Sequence, residues 1–303
     1  MKLDIIGKRK IFFGISIVAL VLVLIITIVV GPKLDIQFKG GSIATYTYTG
    51  DITPDEFGKT VESFLGQDVT VQKQENSVTG QTSMVVSLTS NKNLTTETQT
   101  GLLEELQTTY ADNEIEASDI NNVDPVMGME FFKKCIVAVV FASVIMIVYI
   151  GFRFRKIGGL AAGITAVIAL MHDVLIAFSV FVICGLDVDD VFIAVILTIL
   201  GYSLNATIVV YDRVRENRRK MGPKTSYDEI LNLSMNQTLG RTVLTSLCTF
   251  LSLVVVLIVA LIFNIETVVS FALPMMAGVA AGCFSSQCIA PNLFCMWQLH
   301  KRK

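Results

Sequence analysis

An acidic residue inside a long apolar run is the first candidate for chemistry in this sequence. Asp173 directly follows His172 within the apolar stretch 160–184. A carboxyl group at membrane depth is costly, and it usually faces a bundle interior or a water-filled cavity on a proton or ion path. Asp173 is therefore a candidate proton-relay group; the alternative is a structural acid that hydrogen-bonds to a neighbouring helix. His172 is a second candidate, although adjacent residues point about 100° apart on a helix and need not touch.

Two further polar residues lie in or beside apolar runs. Arg241 precedes one run, where it either extends its charge to the membrane surface or pairs with a membrane acid during transport. Asn205 lies inside another run and is expected to hydrogen-bond to a neighbouring helix. An amide cannot carry a proton as a carboxylate does. Both residues are transport candidates.

Apolar runs long enough to cross a membrane must position these groups. The 303 residues are 52% hydrophobic and only 17% charged, which excludes an ordinary soluble domain. A membrane span needs about 20 apolar residues, and this length predicts transmembrane helices at 11–30, 135–152, 160–184, 191–211, 242–263 and 268–290. The first run lacks a small-residue cleavage pattern, so we expect a retained anchor rather than a signal peptide.

The distribution of basic residues predicts the orientation. With the N-terminus inside, the inner segments 1–10, 153–156, 212–241 and 300–303 hold 17 of the 24 Lys and Arg residues. This positive-inside bias places both termini in the cytoplasm. The outer segment 33–134 carries 16 acids against 7 bases.

One soluble block interrupts the apolar pattern between the first two spans. Alternating and β-rich segments predict strands at 42–48, 69–74, 83–88 and 115–120, with helices opened by capping boxes at Thr53 and Thr96. The order βαββαβ predicts an α+β, ferredoxin-like extracytoplasmic domain. The predicted organisation is residues 1–32 with helix 1, the domain at 33–128, and helices 2–6 at 129–303. A basic cytoplasmic loop is expected at 212–240, where Ser226 opens a helix at the membrane surface.

The remaining composition narrows the function classes. All six cysteines lie in or beside predicted spans without metal-ligand spacing, so we expect no disulfide framework, metal or other cofactor. The only histidines are His172 and His300, so the outer domain has no Ser/His/Asp or Cys/His set and an enzyme is not expected. Nucleic acid is not an expected partner.

Five motifs in order make the whole chain similar to the SecF family of bacterial protein export. After the first span the matching residues are Phe38, Gly40 and Gly41, and the third span carries the segment around His172 and Asp173. The fourth span matches from Gly201 to Asn205 and then at Asp212, Arg213, Arg215, Glu216 and Asn217. The last two spans match at Arg241, Thr242, Thr245 and Ser246, and at Gly278, Gly282, Ser285, Ser286, Ala290 and Pro291.

The resemblance implies a function in transport. SecF-like chains belong to the resistance–nodulation–division class, and their six spans pair with six from SecD. It implies as partners a SecD-like subunit, the SecYEG channel with SecA, the YajC and YidC proteins, a translocating unfolded polypeptide and membrane lipids. It also implies that proton entry drives export, at a bacterial plasma membrane.

Two departures from the family pattern each remove an acid. Ala206 stands where the family has its proton-relay Asp, and Gln37 stands where the first motif has Asp. The expected partner of Arg241 is thus missing. Three explanations stay open: an acid of the SecD-like partner carries the proton, Asp173 has taken over, or the chain assists export without proton coupling. Half of a small-molecule or lipid exporter and a non-conducting scaffold are the alternative functions.

Overall fold

The chain folds into two compact units. The computed structural model describes residues 4–35, 41–75, 82–88, 95–123, 125–222, 225–263 and 265–300. Met1–Lys33 and Val137–Lys303 form one unit, and Leu34–Ile136 forms the other. Of the predicted motif residues, Phe38, Gly40 and the divergent Gln37 lie outside the described residues.

The elements follow one another in a mostly helical order. The helices are α1 (Arg9–Val30), α2 (Pro54–Leu65), α3 (Thr96–Thr109), α4 (Pro125–Arg153), α5 (Gly159–Cys184), α6 (Asp190–Met221), α7 (Tyr227–Ile262), α8 (Glu266–Cys288) and α9 (Ala290–His300). The strands are β1 (Lys33–Leu34), β2 (Gly41–Tyr48), β3 (Val69–Glu75), β4 (Thr82–Leu88), β5 (Glu116–Val123) and β6 (Asp187–Val188).

Six helical segments in the described part of the chain are long and apolar enough to cross a membrane, as the sequence predicts. They are Arg9–Val30, Phe132–Arg153, Gly159–Cys184, Asp190–Met221, Tyr227–Ile262 and Thr267–His300. Helices α5, α6 and α8 bury the largest share of their apolar windows, whereas α1, α4 and α7 leave most of theirs exposed. The protein is therefore a multi-pass membrane protein with a central group of three helices.

The expected loop at 212–240 is mostly helix, which corrects the sequence prediction. Helix α6 continues to Met221, and α7 runs without interruption from Tyr227 through the fifth span to Ile262. Ser226 caps α7 as expected, accepting a hydrogen bond from the Glu229 amide at 3.3 Å. Its first turns bury Ile230, Leu231 and Met235 in the main core, so no separate surface helix forms.

The last span is divided in two. Helix α8 ends at Cys288 and α9 begins at Ala290, with Pro291 in the first turn of α9. Proline lacks the backbone N–H and is tolerated in a first turn, where that donor has no intrahelical partner. Consequently, the helical segment extends ten residues beyond the predicted end at residue 290.

The second unit is a four-stranded sheet with two helices. The strand order is β3-β4-β2-β5, and each neighbouring pair is antiparallel. Inward residues of β2 and β4 alternate with half-buried ones, and they form a core with Phe57, Val61, Leu102 and Leu106 from the helices. This alternation is the period-two pattern of a sheet with one covered face.

The helix starts in this unit largely follow the predicted capping. The Thr53 hydroxyl accepts from the Glu56 amide at 3.4 Å, as an N-cap residue does, and donates to the Glu56 carboxylate at 2.9 Å. At the second helix the cap is Thr95, not the predicted Thr96, because its hydroxyl accepts from the Thr98 amide at 3.3 Å.

Candidate functional site

The carboxylate of Asp173 lies where helices α5, α6 and α8 meet. One carboxylate oxygen accepts hydrogen bonds from the hydroxyls of Ser203 on α6, at 2.6 Å, and Ser285 on α8, at 2.7 Å. The other oxygen lies 3.0 Å from Nδ1 of His172. Asp173 has no exposed surface in the chain. A single acidic side chain therefore links three membrane helices.

His172 and Asp173 touch, although their positions on the helix allowed them to point apart. The His172 ring is 7% exposed and lies against Phe284 of α8, with ring centroids 6.4 Å apart. Phe284 in turn contacts Phe12 of α1. The imidazole thus lies against the Phe284 ring and contacts the Asp173 carboxylate through Nδ1.

Two glycines of α8 allow its close packing against α6. A Cβ on Gly282 would lie 3.0 Å from Cβ and Oγ of Ser203, and one on Gly278 would lie 2.2 Å from Cδ1 of Ile199. Small residues of this spacing let helix backbones approach closely. This glycine pair therefore forms a helix interface within the chain.

The other predicted transport residues lie elsewhere, on an exposed surface of α6 and α7. Asn205 and Arg241 are both exposed. In the described residues, neither side chain makes a hydrogen bond or ion pair, so Asn205 does not bond to a neighbouring helix as expected. Ala206 is half-buried beside Asn205. Asp173 and Arg241, two charged candidates from the sequence, are not paired with each other.

Hydroxyl groups near Arg241 are satisfied within the chain. The Thr245 hydroxyl donates to the Arg241 carbonyl at 2.7 Å, and the Ser246 hydroxyl accepts from Tyr202 at 3.3 Å. Thr242 accepts from the amide of Gln287 on α8 at 2.8 Å. These bonds leave the Arg241 guanidinium as the charged group of this surface that is open to a partner.

The charged segment after the fourth span joins α6 to α7. The Asn217 amide donates to Ser234 and Gln237, both at 2.8 Å, and Arg213 donates to Gln237 at 2.6 Å. Asp212 pairs with Arg215 at 2.8 Å and with Arg153 at 3.4 Å, and Glu216 pairs with Arg213 and Lys220. This segment therefore has a structural role in addition to its charge.

A second close helix contact, between α4 and α5, was not predicted from the sequence. A Cβ on Gly159 would lie 2.0 Å from the carbonyl oxygen of Gly151, and one on Gly163 would lie 2.9 Å from that of Ile147. The spacing of Gly159 and Gly163 is the same small-residue pattern as in α8, so the signal was present in the sequence. It places α4 directly against α5.

Comparisons with known proteins agree with this architecture. The family model described as "Protein export membrane protein SecD/SecF, C-terminal" matches residues 103–300. Protein translocase subunit SecF of Sebaldella termitidis is 30% identical over all of this chain and 94% of its own length. Protein translocase subunit SecDF of Bacillus subtilis is 32% identical over 98% of this chain, which spans 38% of that longer protein.

A solved structure shows the same fold. The crystal structure of SecDF from Thermus thermophilus, a translocon-associated membrane protein, superposes with a TM-score of 0.78 at 26% identity. The match covers 99% of this chain and 39% of the SecDF chain. The family model, the near full-length relatives and the shared fold together assign this chain to the SecF family of protein translocase subunits.

Proposed function

We propose that the chain is one half of a proton-driven accessory complex of protein export. It pairs with a SecD-like six-helix subunit and promotes passage of unfolded polypeptides through the SecYEG channel, with SecA as the motor and YajC and YidC as further partners. It performs no catalysis of its own. The observation that carries the proposal is the exposure of Asn205 and Arg241 on α6 and α7.

The bilayer gives a physical reason for a partner at this surface. Insertion scales assign about 2.5–3.5 kcal/mol to an arginine at the centre of a membrane helix, and an amide without a hydrogen-bond partner in hydrocarbon is also costly. A second helical subunit that covers α6 and α7 removes this cost by supplying acceptors. The similarity to SecDF, in which the matching region is part of a longer chain, supports a SecD-like subunit as this partner.

The same surface supports an acid of the partner as the proton carrier. Arg241 has no ion pair among the described residues, and position 206 carries a methyl group instead of a carboxylate. Asp173 already accepts from two serines and contacts His172. A unit charge that crosses 100 mV releases about 2.3 kcal/mol. A partner carboxylate opposite Arg241 that carries the proton would make this free energy available to drive export.

We further propose the membrane orientation and the nature of the sheet domain. The positive-inside bias supports cytoplasmic termini in the plasma membrane of a bacterium. Residues 33–128 then lie outside the cell as a ferredoxin-like domain. The βαββαβ element order and the antiparallel strand order β3-β4-β2-β5 support that assignment.

A non-conducting scaffold is the second candidate function, and Ala206 favours it. Because alanine cannot take up a proton, this chain can stabilise a translocase assembly without carrying the proton itself. The two candidates differ in their response to the membrane potential. Only the first predicts an export gain that a protonophore removes.

Affinity capture tests the partner assignment. We expect a tagged chain, extracted in mild detergent, to retain a SecD-like subunit, and Arg241→Leu to reduce the amount retained. Arg155→Leu is the matched control, because Arg155 is also exposed but lies at the turn before α5. Equal retention by all three chains would contradict a partner surface at Arg241.

A further inference from the structure

Two hydroxyls from two different helices share one carboxylate oxygen in the candidate site. We propose that Asp173 is an anchor that fixes the rotation of α6, with Ser203 and Ser285 as positioning residues, and that it does not itself carry the transported proton. The functional part of this inference rests on the proposed function, since the rotation of α6 determines which residues meet the partner.

The hydrogen bonds of Asp173 hold its carboxyl group in one position. Its contacts with Ser203 and Ser285, at 2.6 and 2.7 Å, are within the normal range for hydroxyls that donate to a carboxyl oxygen. A proton carrier must be reached from one side and released to the other, but Asp173 has no exposed surface. Its donors all belong to the chain, so the group is well placed to hold helices together.

Helix geometry links this anchor to the exposed surface. Ser203 is buried, and Asn205 is exposed two residues later. Two residues correspond to about 200° of rotation around a helix. Holding Ser203 towards Asp173 therefore turns Asn205 outward. A loss of the anchor lets α6 rotate, which would displace Asn205 and Ala206 from the partner surface.

The residues around the Asp173 carboxyl group pack closely against one another. A Cβ on Gly282 would lie 3.0 Å from the Ser203 hydroxyl and 3.6 Å from the Asp173 carboxylate, so a larger residue there would press against Ser203. The Phe284 ring of α8 lies against His172, and the Phe12 ring of α1 packs against Phe284. Of the described titratable groups, His172 is the one that interacts with Asp173.

Asp173→Asn distinguishes an anchoring role of this residue from a role as proton carrier. An amide oxygen still accepts two hydroxyls and its NH₂ still donates to a neutral imidazole, but it cannot exchange a proton. We would measure export of a secreted reporter in cells that lack this gene and carry Asp173→Asn, Asp173→Ala or the double variant Ser203→Ala, Ser285→Ala. Membrane levels of each chain would normalise the rates.

An anchoring role for Asp173 predicts a specific order of export rates among the variants. Asp173→Asn should retain at least about half of the native export gain, because the acceptor is kept. Asp173→Ala and the double serine variant should each fall to about one tenth, since a lost bond that leaves a buried polar group unsatisfied shifts a local equilibrium by about tenfold. Adding Asp173→Ala to the double serine variant should cause no further loss, because all three side chains act as one unit.

Ser179→Ala is the matched control for the serine variants. Ser179 is a buried serine of α5 whose hydroxyl donates only to the Ile176 carbonyl of its own helix. We expect native export from this variant. Equal loss in Asp173→Asn and Asp173→Ala, with export retained in the double serine variant, would identify a proton carrier and overturn the anchor. Native export from all of the variants would overturn it as well.

The stability of the purified chain tests the anchor apart from the proposed function. In detergent, Asp173→Ala and the double serine variant should lower the thermal unfolding midpoint, while Asp173→Asn and Ser179→Ala should stay near the native value. This order is expected even if the native chain gives no export gain, which would refute the proposed function alone. Unchanged midpoints in all variants would refute the anchor alone.

Discussion

Replacing Gly159 by alanine is the most direct test of the α4–α5 contact. A Cβ at this position would lie 2.0 Å from the Gly151 carbonyl oxygen and 2.8 Å from its carbonyl carbon. Close carbon–oxygen contacts in proteins are about 3.3 Å or longer, so α4 and α5 must separate by about 1 Å. The obstructing atoms are backbone, and a side-chain rotation cannot relieve them.

The expected cost follows from two opposing terms. Alanine stabilises a helix interior by about 0.5–1 kcal/mol relative to glycine. Because Gly159 is the first residue of α5, the substitution gains little of this stabilisation. Overpacking in a tightly packed interior costs about 1–3 kcal/mol. We expect a cost near the upper end of this range, because the obstructing atoms belong to the backbone. We therefore expect Gly159→Ala to destabilise the chain by about 2–3 kcal/mol.

Thermal unfolding of the purified chain in detergent measures this effect. Gly14→Ala is the matched control, since a Cβ at Gly14 of α1 meets no atom within 4 Å. We expect its midpoint to be unchanged or slightly higher, whereas the midpoint of Gly159→Ala should fall by several degrees. A midpoint for Gly159→Ala equal to that of Gly14→Ala would refute the close approach of α4 and α5.

Three further predictions concern the partner surface and the sheet domain. Arg241→Ala should change the stability of the isolated chain by less than about 0.5 kcal/mol, because the side chain is exposed, yet it should weaken capture of the SecD-like subunit; equal capture would count against the proposed surface. Phe57→Ala should destabilise the sheet domain by about 3–5 kcal/mol, because the ring is fully buried against Tyr46 and Tyr110, and limited proteolysis of the full chain should show faster cleavage there. Burial raises the pKa of Tyr46 to about 12 from a usual value of 10.0, so the unfolded domain ionises first as the pH rises; the domain should lose about 3 kcal/mol between about pH 10 and pH 12. Protease resistance compared across that range should show a smaller loss in Tyr46→Phe, and identical profiles would refute this cause.

Local sequence signals predicted the helices and strands well because their causes are local. The spans follow from the length of apolar runs, and the strand at 42–48 follows from its alternation. The N-caps Thr53 and Ser226 also act within one turn. The Thr96 prediction failed by one residue because Thr95 offers the same hydroxyl one position earlier, and it caps the Thr98 amide although no Glu or Gln lies three residues after it.

Helix α7 shows where local signals were insufficient. Its first turns are polar on one face, which suggested a surface helix separate from the fifth span. In the structure, Ile230, Leu231 and Met235 are buried in the main core, and the helix is continuous through Gly240. Which side of an amphipathic segment is covered depends on tertiary packing, and one sequence does not contain that information directly.

The candidate site was predictable in part. Asp173 is detectable because an acid in an apolar run is costly, and its partners Ser203 and Ser285 both lie in segments that resemble the family. Their convergence on one oxygen joins residues 30 and 112 positions from Asp173. The sequence alone does not show which residues this far apart along the chain are neighbours in space. It also did not predict that Asn205 and Arg241 are exposed while Asp173 is buried.

Reporter export under a brief protonophore pulse tests the central claim, proton-linked export without an acid at position 206, most directly. Cells that lack this gene would carry the native chain, Ala206→Asp or an empty vector, and the pulse would be too short to exhaust ATP. Proton coupling through a partner acid predicts that the native chain accelerates export and that the protonophore reduces the rate to that of the empty vector. A protonophore-sensitive gain with Ala206→Asp alone would contradict the claim and favour a scaffold.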